Sequence, residues 1–242
     1  MKRIAFVTGA SRGIGKAVAL DLLSKNYLVV VGYHRSKDLA NEIVKLNVNA
    51  TAINVDVSSA DSVINAFNEI ELKLGKVDIL VNNAGISQVK PFESISDADW
   101  GTMWETNFMS AVRCTRLALP SMVKQSFGRI VNISSIGGQW GGVHQMHYAA
   151  AKAALINFTK SIAKTYSDEG ICCNAVSPGL IDTDMIVDEL NGSKDVKVGG
   201  IPVGRLGRVQ EVSSLVGFLC GIESSYITGQ VYNVNGGMNL CE

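Results

Sequence analysis

Ile4-Ala5-Phe6-Val7-Thr8-Gly9-Ala10-Ser11-Arg12-Gly13-Ile14-Gly15 is the stretch on which the fold turns. A short apolar run, Ile4–Thr8, reads as a strand and ends in a glycine-rich turn. A helical pattern, Ala17–Ser24, follows. Glycines are needed where backbone turns sharply or approaches a pyrophosphate closely. The helix start beyond them offers free N–H groups and a partial positive charge, which suit phosphate. Strand, glycine turn and helix in that order form the opening of a βαβ unit.

The same alternation continues to the end of the chain. Tyr27–Tyr33 is nearly continuous apolar sequence, as expected of a parallel strand buried on both faces. Helical patterns at Leu39–Leu46 and Ser59–Leu74 flank a strand at Ala50–Val55, and Gly75 is placed to stop the second helix. Strands follow at Val77–Val81, Arg129–Ile133, Ile171–Val176 and Gln230–Val234. Helical patterns lie near Ser96–Phe108, Ser110–Gln125, Tyr148–Ser167 and Gln210–Leu219. The expected architecture is α/β: a doubly wound, Rossmann-like, mostly parallel sheet of about seven strands with helices on both faces. No repeat, linker or low-complexity tract interrupts it, so residues 1–242 are expected to form a single domain.

Composition agrees. The chain is 47% hydrophobic and 18% charged, which suits a well-buried globular enzyme. Its 22 basic and 22 acidic residues cancel, so nothing points to a nucleic-acid or membrane partner. The five cysteines, Cys114, Cys172, Cys173, Cys220 and Cys241, have no metal-ligand spacing, and their odd number suits free thiols in a reducing compartment. No metal site is expected. Cys172 and Cys173 should point to opposite faces of their strand. The N-terminus carries no signal-like run, so a cytoplasmic protein is expected.

The end of the second strand bears on the cofactor. A dinucleotide site for NAD usually has an acid there for the ribose 2′-hydroxyl. Here the segment reads Val31-Gly32-Tyr33-His34-Arg35-Ser36, without an acid. Arg12, His34 and Arg35 offer charge or donors to a 2′-phosphate, so NADP(H) is expected.

Tyr148 and Lys152 carry the chemistry. Their i, i+4 spacing puts them on one helical face. A nearby ammonium favours the phenolate and pulls a tyrosine down from its free value of about 10, making it a usable acid or base. Ser135 lies thirteen positions before Tyr148, just past a strand end, where ligands sit in open α/β sheets. Ser134 beside it is the alternative hydroxyl. Asn82-Asn83-Ala84-Gly85 forms a second small-residue loop at the same sheet edge. Asn107 interrupts a helical pattern. Its amide either holds a water that relays protons to Lys152 or simply marks a kink or cap.

Together, TGASRGIG at Thr8–Gly15, NNAG at Asn82–Gly85, Asn107, Ser135, Tyr148 with Lys152, and SPG at Ser177–Gly179 resemble the classical short-chain dehydrogenase/reductase family over essentially the whole chain. That resemblance implies hydride transfer between a nicotinamide and a carbonyl or alcohol carbon. It implies Tyr148 as general acid in reduction, Lys152 lowering its pKa and bonding the nicotinamide ribose, Ser135 positioning the carbonyl, and Asn107 supporting a relay water. The implied cofactor contacts are Gly9, Ser11, Arg12, Gly13, Ile14 and Gly15 in the first turn, and Tyr33, His34 and Arg35 after it. Asn83, Ala84 and Gly85 join them, as do Tyr148 and Lys152. Pro178, Gly179, Ile181 and Thr183 should flank the nicotinamide. Asp56 and Val57 should lie along the adenine, although Asp56 can equally cap the helix near Ser59. Asp182–Gly200 corresponds to a substrate lid, with Gly192, Gly199 and Gly200 suited to hinge motion.

Within the family, Ile201–Gly207, Tyr226–Gln230 and Val234–Gly237 are most similar to the 3-oxoacyl-[acyl-carrier-protein] reductases and acetoacetyl-CoA reductases. This implies a thioester-linked carbonyl substrate, an acyl carrier protein as a possible partner, and a homotetramer paired through Thr102–Lys124, Tyr148–Ser167 and the C-terminal segment. One departure stands out. Where carrier-protein reductases tend to place arginines, this chain has Ser126 and Glu169, with Lys124, Arg129 and Lys164 nearby. Another small ketone or secondary alcohol, such as a polyol, steroid or xenobiotic, is therefore the alternative substrate. Trp140, His144, Met146 and His147 precede the tyrosine, where they either contact substrate or pack.

Overall fold

A computed structural model describes residues 2–184 and 198–240. Seven strands form one sheet in the order β3-β2-β1-β4-β5-β6-β7, every neighbouring pair parallel. The expected sheet is thus confirmed, and it is wholly rather than mostly parallel. The strands are β1 (Ile4–Val7), β2 (Leu28–Tyr33), β3 (Ala50–Asn54), β4 (Ile79–Asn82), β5 (Gly128–Ile133), β6 (Ile171–Pro178) and β7 (Val231–Val234).

The pleat explains the layering. Val29 and Val31 on β2 point into one apolar cluster with Val18 and Leu22 of α1 (Gly13–Ser24), Ile43 of α2 (Lys37–Leu46), and Val216 of α8 (Val209–Leu219). Val30 between them points into the other, with Ile70 of α3 (Ala60–Lys73) and Met122 of α5 (Ser110–Lys124). Alternate residues of buried strands thus feed helical layers on both faces, which is why these strands read as continuous apolar runs. Cys173 belongs to the second cluster. Cys172 instead donates its thiol to the Ser225 carbonyl at 3.5 Å, so the adjacent cysteines diverge as expected.

The strand order reverses between β1 and β4. From β1 the chain winds outward through β2 and β3, then returns to lay β4 on the other side. Such a switch point opens a crevice beyond the carboxyl ends of the two strands. Val7 pairs with Val81, so the Thr8–Gly15 turn and the Asn83–Gly85 loop emerge side by side into it.

The stretch expected as a helix over Ser96–Phe108 is shorter and then changes character. Ser96 caps α4 (Asp97–Trp104): its Oγ accepts from Asp99 N at 3.2 Å, and Asp99 Oδ2 accepts from Ser96 N at 2.9 Å. This reciprocal capping box satisfies two helix-end donors. A π-helical turn, Glu105–Met109, joins α4 to α5 and contains Asn107. A four-residue helix, α6 (Gly137–Trp140), and the long α7 (Met146–Tyr166) follow β5. β6 runs to Pro178 rather than Val176, because Ser177 and Pro178 pair with Asn233 and Val234. Pro178 has no N–H, but its carbonyl accepts from Ile136 N at 2.9 Å. No described helix is long and apolar enough to cross a membrane.

Candidate active site

The glycine turn and the Asn82–Gly85 loop are built as one unit. Thr8 Oγ1 accepts from Asn83 N and Ala84 N, both at 3.0 Å. The Asn83 side-chain amide donates back to the carbonyls of Thr8 and Gly9 at 2.9 and 3.0 Å. A methyl group at Gly15 would stand 2.3 Å from the Gly9 carbonyl oxygen, so only glycine allows this closure. The first turn of α1 holds no acidic residue, and its N-cap position, Arg12, makes no side-chain cap. The orphan N–H groups there remain available to an anion. Thr8 and the bracing role of Asn83 were not singled out from sequence.

One cleft of about 1410 Å³ runs from this turn to Tyr148. Every sequence-predicted site residue within it lines the wall except Tyr33. Tyr33 is buried and packs in the core cluster shared by Val29 and Val31, while Ser36 lines the cleft in its place. Its side chain therefore does not line the cleft, unlike the other residues expected at the cofactor. The parity was legible: residues 29, 31 and 33 share one face of a strand.

At the far end of β2, His34 and Arg35 line the cleft and no carboxylate stands among them. The acid on that side is Asp56. Its Oδ1 accepts from Ser58 N and Ser58 Oγ at 3.0 and 2.6 Å, and Oδ2 lies 3.8 Å from His34 Nε2. The Ser58 hydroxyl holds the Asp56 carboxyl below the usual carboxylate range. Ser59, not Asp56, caps α3, accepting from Ser62 N at 3.3 Å. The cap alternative for Asp56 therefore falls, and Asp56 and Val57 stand on the cleft wall. Arg12 lies 3.6 Å from Asp184, with both side chains largely exposed.

Tyr148 and Lys152 lie in the first two turns of α7. Lys152 is buried, and its Nζ donates to the Ile133 carbonyl at 2.8 Å while standing 5.7 Å from the Tyr148 ring centre. Burial pulls its pKa down to about 8. The two adjacent serines divide the work. Ser134 is buried, and its Oγ donates to the Lys152 carbonyl at 2.9 Å, fastening the end of β5 to α7. Ser135 is half-buried, and its Oγ accepts only a turn N–H, from Gly137 at 3.1 Å, which leaves its hydroxyl proton for a ligand.

Asn107 is buried inside the π turn. Its Oδ1 accepts from Ile86 N at 3.1 Å, and its Nδ2 donates to the Met103 carbonyl at 3.1 Å. The side chain therefore ties the Gly85–Ile86 backbone to the helix. Gly85 makes room for this contact: a methyl group there would stand 2.7 Å from Asn107 Oδ1 and 3.5 Å from Lys152 Nζ. π-helical turns inside α-helices occur frequently at functional sites.

Beyond the residues expected at the cofactor and the catalytic pair, the cleft wall includes Trp140, residues 141–146, Thr102, Thr106 and Met238. No carboxylate is among them. His144 is exposed on this wall, with φ +56, whereas His147 is buried away from it. Met238 comes from the chain beyond β7 and had no sequence signal. Of the expected lid, residues 185–197, including Gly192, lie outside the described residues, while Gly199 and Gly200 are exposed.

The basic residues near Ser126 and Glu169 are not equivalent. Lys124 and Lys164 are exposed. Arg129 is buried: it donates to the carbonyls of Gly221 at 3.1 Å and Gly128 at 2.9 Å, and its guanidinium lies 4.5 Å from the Phe127 ring centre. It joins chain segments and offers no surface charge.

Comparison with known proteins gives a consistent result. The family model for short chain dehydrogenase matches residues 3–193. The 3-oxoacyl-[acyl-carrier-protein] reductase of Aquifex aeolicus is 42% identical over 240 residues, covering 98% of this chain and 97% of that protein. The reductases of the same name from Pseudomonas aeruginosa and Escherichia coli are 41% and 40% identical, each covering 98% of both chains. Among solved structures, a candidate gluconate dehydrogenase from Agrobacterium tumefaciens superposes with a TM-score of 0.93 at 32% identity, covering 98% of this chain and 95% of that one.

Proposed function

The chain belongs to the short-chain dehydrogenase family, and on that premise we propose that it is an NADP(H)-dependent reductase of 3-oxoacyl thioesters carried on CoA or an acyl carrier protein. The observation that carries the reading is the meeting, in one cleft, of the glycine turn with Ser135, Tyr148 and Lys152. The residues fit a nicotinamide dinucleotide: uncapped N–H groups for its phosphates, and His34 and Arg35 for a 2′-phosphate, with no acid in the segment that ends β2 and with Asp56 already engaged by Ser58. When bound, the cofactor supplies the hydride. Tyr148 delivers the proton to the carbonyl oxygen. Ser135 Oγ–H donates to that same oxygen and orients it. Lys152, held by the Ile133 carbonyl, keeps an ammonium beside the phenol and favours its ionised form. Asn107 fixes the Gly85–Ile86 backbone beside Lys152.

The experiment is NADPH oxidation with acetoacetyl-CoA, compared with Tyr148→Phe. The variant should lose on the order of a thousand-fold or more in kcat, consistent with removal of a positioned general acid. It should still bind NADPH. Turnover retained by Tyr148→Phe overturns the mechanism.

A second reading, a free ketone or sugar-like alcohol, is favoured by one observation. Arg129 is buried, so of the basic residues named near Ser126 and Glu169 it cannot meet an acidic carrier, and Lys124 and Lys164 are left to do so. The Agrobacterium protein, a candidate gluconate dehydrogenase, lies in the same direction. Among the described residues, the wall formed by Trp140, Val143 and Met146 has no charged group for a sugar acid, which keeps the acyl thioester first. A panel of free ketones and polyols beside acetoacetyl-CoA separates the two.

A further inference from the structure

Residues 86–91 have no regular secondary structure, yet they are pinned at nearly every step. Ile86 N donates to Asn107 Oδ1. Ser87 Oγ accepts from Gln145 Nε2 at 2.7 Å. Lys90 N donates to the His144 carbonyl at 2.7 Å, and Lys90 Nζ to Asp99 Oδ2 at 2.7 Å. Gln88 stands in the middle. Its Nε2 donates to Asp99 Oδ1 at 3.3 Å, which leaves Oε1 as the acceptor facing His147 Nε2 at 2.9 Å. His147 must therefore carry its proton on Nε2. Its ring is 1% exposed and lies edge-on to Trp100, with centroids 5.9 Å apart. Nδ1 is buried and has no partner. A proton there would be an N–H without an acceptor, so burial pushes the His147 pKa down and the neutral ring is retained.

The arrangement has a consequence for substrate. Residues 141–146 and Tyr148 line the cleft on either side of His147 in sequence, while His147 itself points away from it. The loop is thus held from behind. We propose that His147 is a positioning residue for the carbonyl substrate: as the neutral Nε2–H form it fixes Gln88, and with it segment 86–91, against the 141–146 loop that shapes the substrate side. The proposal rests on the reading of Tyr148 as proton donor. The clamp holds the wall that receives the substrate rather than the proton donor itself, so loosening it weakens ground-state and transition-state binding alike and raises KM with kcat little changed.

The test compares the wild type with His147→Phe, which keeps a ring and removes the donor, and with His147→Gln, whose amide N–H can replace Nε2–H. Amide hydrogen exchange of peptides covering 86–91 and 141–146 is measured on the whole protein, with NADPH affinity followed by its fluorescence. Steady-state kinetics with acetoacetyl-CoA run beside them. In His147→Phe both segments exchange faster, KM rises about ten-fold, kcat changes by less than about three-fold, and NADPH affinity holds. His147→Gln recovers most of the exchange protection and KM. Gln88→Met, which removes the acceptor instead, loosens the same two segments and serves if His147→Phe does not fold. Unchanged exchange in His147→Phe or Gln88→Met, or a Gln variant as impaired as Phe, overturns the proposal. If the wild type reduces no carbonyl, the proposed function falls, and the exchange comparison still decides the clamp.

Discussion

Lys152 carries its ammonium where the fold disfavours it. The side chain is buried, and burial alone lowers its pKa from 10.5 to about 8. A shift of that size corresponds to about 3 kcal/mol of destabilisation with the lysine charged. The sign follows from proton counts. Between about pH 8 and 10.5 the unfolded chain binds the proton and the folded chain does not, so stability rises with pH across that window; below it the cost is present in full. Lys152→Met is therefore predicted to abolish turnover and yet melt about 2–6 °C higher than the wild type at pH 7, the loss of the Ile133 hydrogen bond offsetting part of the gain. Calorimetry without cofactor at pH 7 and pH 10 checks both parts, since the gap should narrow at the higher pH. A variant that melts lower at pH 7 would show that the lysine stabilises the fold. At this scale the sequence was most informative about Tyr148, Lys152 and Ser135, whose spacing is local. It was least informative about His147, because its partner Gln88 is 59 positions away and nothing local separates a buried histidine from a substrate-facing one.

Among the elements, the turn after β2 carries the proposed NADP(H) preference. It was legible because an absent carboxylate is visible in a short stretch, and His34 and Arg35 do line the cleft. Restoring the acid should reverse the preference. His34→Asp is predicted to place a carboxylate near the ribose and to lower kcat/KM with NADPH relative to NADH by about ten- to a hundred-fold, consistent with loss of a donor plus like-charge repulsion of a 2′-phosphate. Initial rates with each cofactor measure the ratio; a wild type already preferring NADH would refute the assignment. The π turn was only half legible. Asn107 marked a break in a helical run, but the run's length alone reads as helix. The extra residue that turns Asn107 onto the Gly85–Ile86 backbone is fixed by that distant contact. Asp56 was resolved only by geometry, because Ser59 and Asp56 are both good cap residues and lie three positions apart.

The sheet as a whole was legible in class because buried parallel strands leave apolar runs, and in site location because the switch point follows from the winding. Its surface was less so. Exposure of an apolar side chain is decided by which helix faces are covered, and sequence alone does not mark them. Trp104 and Leu117, in the helical stretch expected to pair, are partly exposed. Tyr226 and Leu240, near the C-terminus, are 103% and 84% exposed. Apolar groups left uncovered both on the α4–α5 stretch and near the C-terminus of a chain with +0 net charge suit association at both places, as a tetramer with two interface types requires. We therefore predict a homotetramer of about four times the 25.8 kDa chain, measured by light scattering or sedimentation. Leu117→Arg should reduce it to dimers and Leu240→Asp should do the same at the other interface, because a charge buried in an apolar contact is costly unless paired. A monomer at micromolar concentration would overturn the assembly while leaving the cleft, which is built within one chain, untouched.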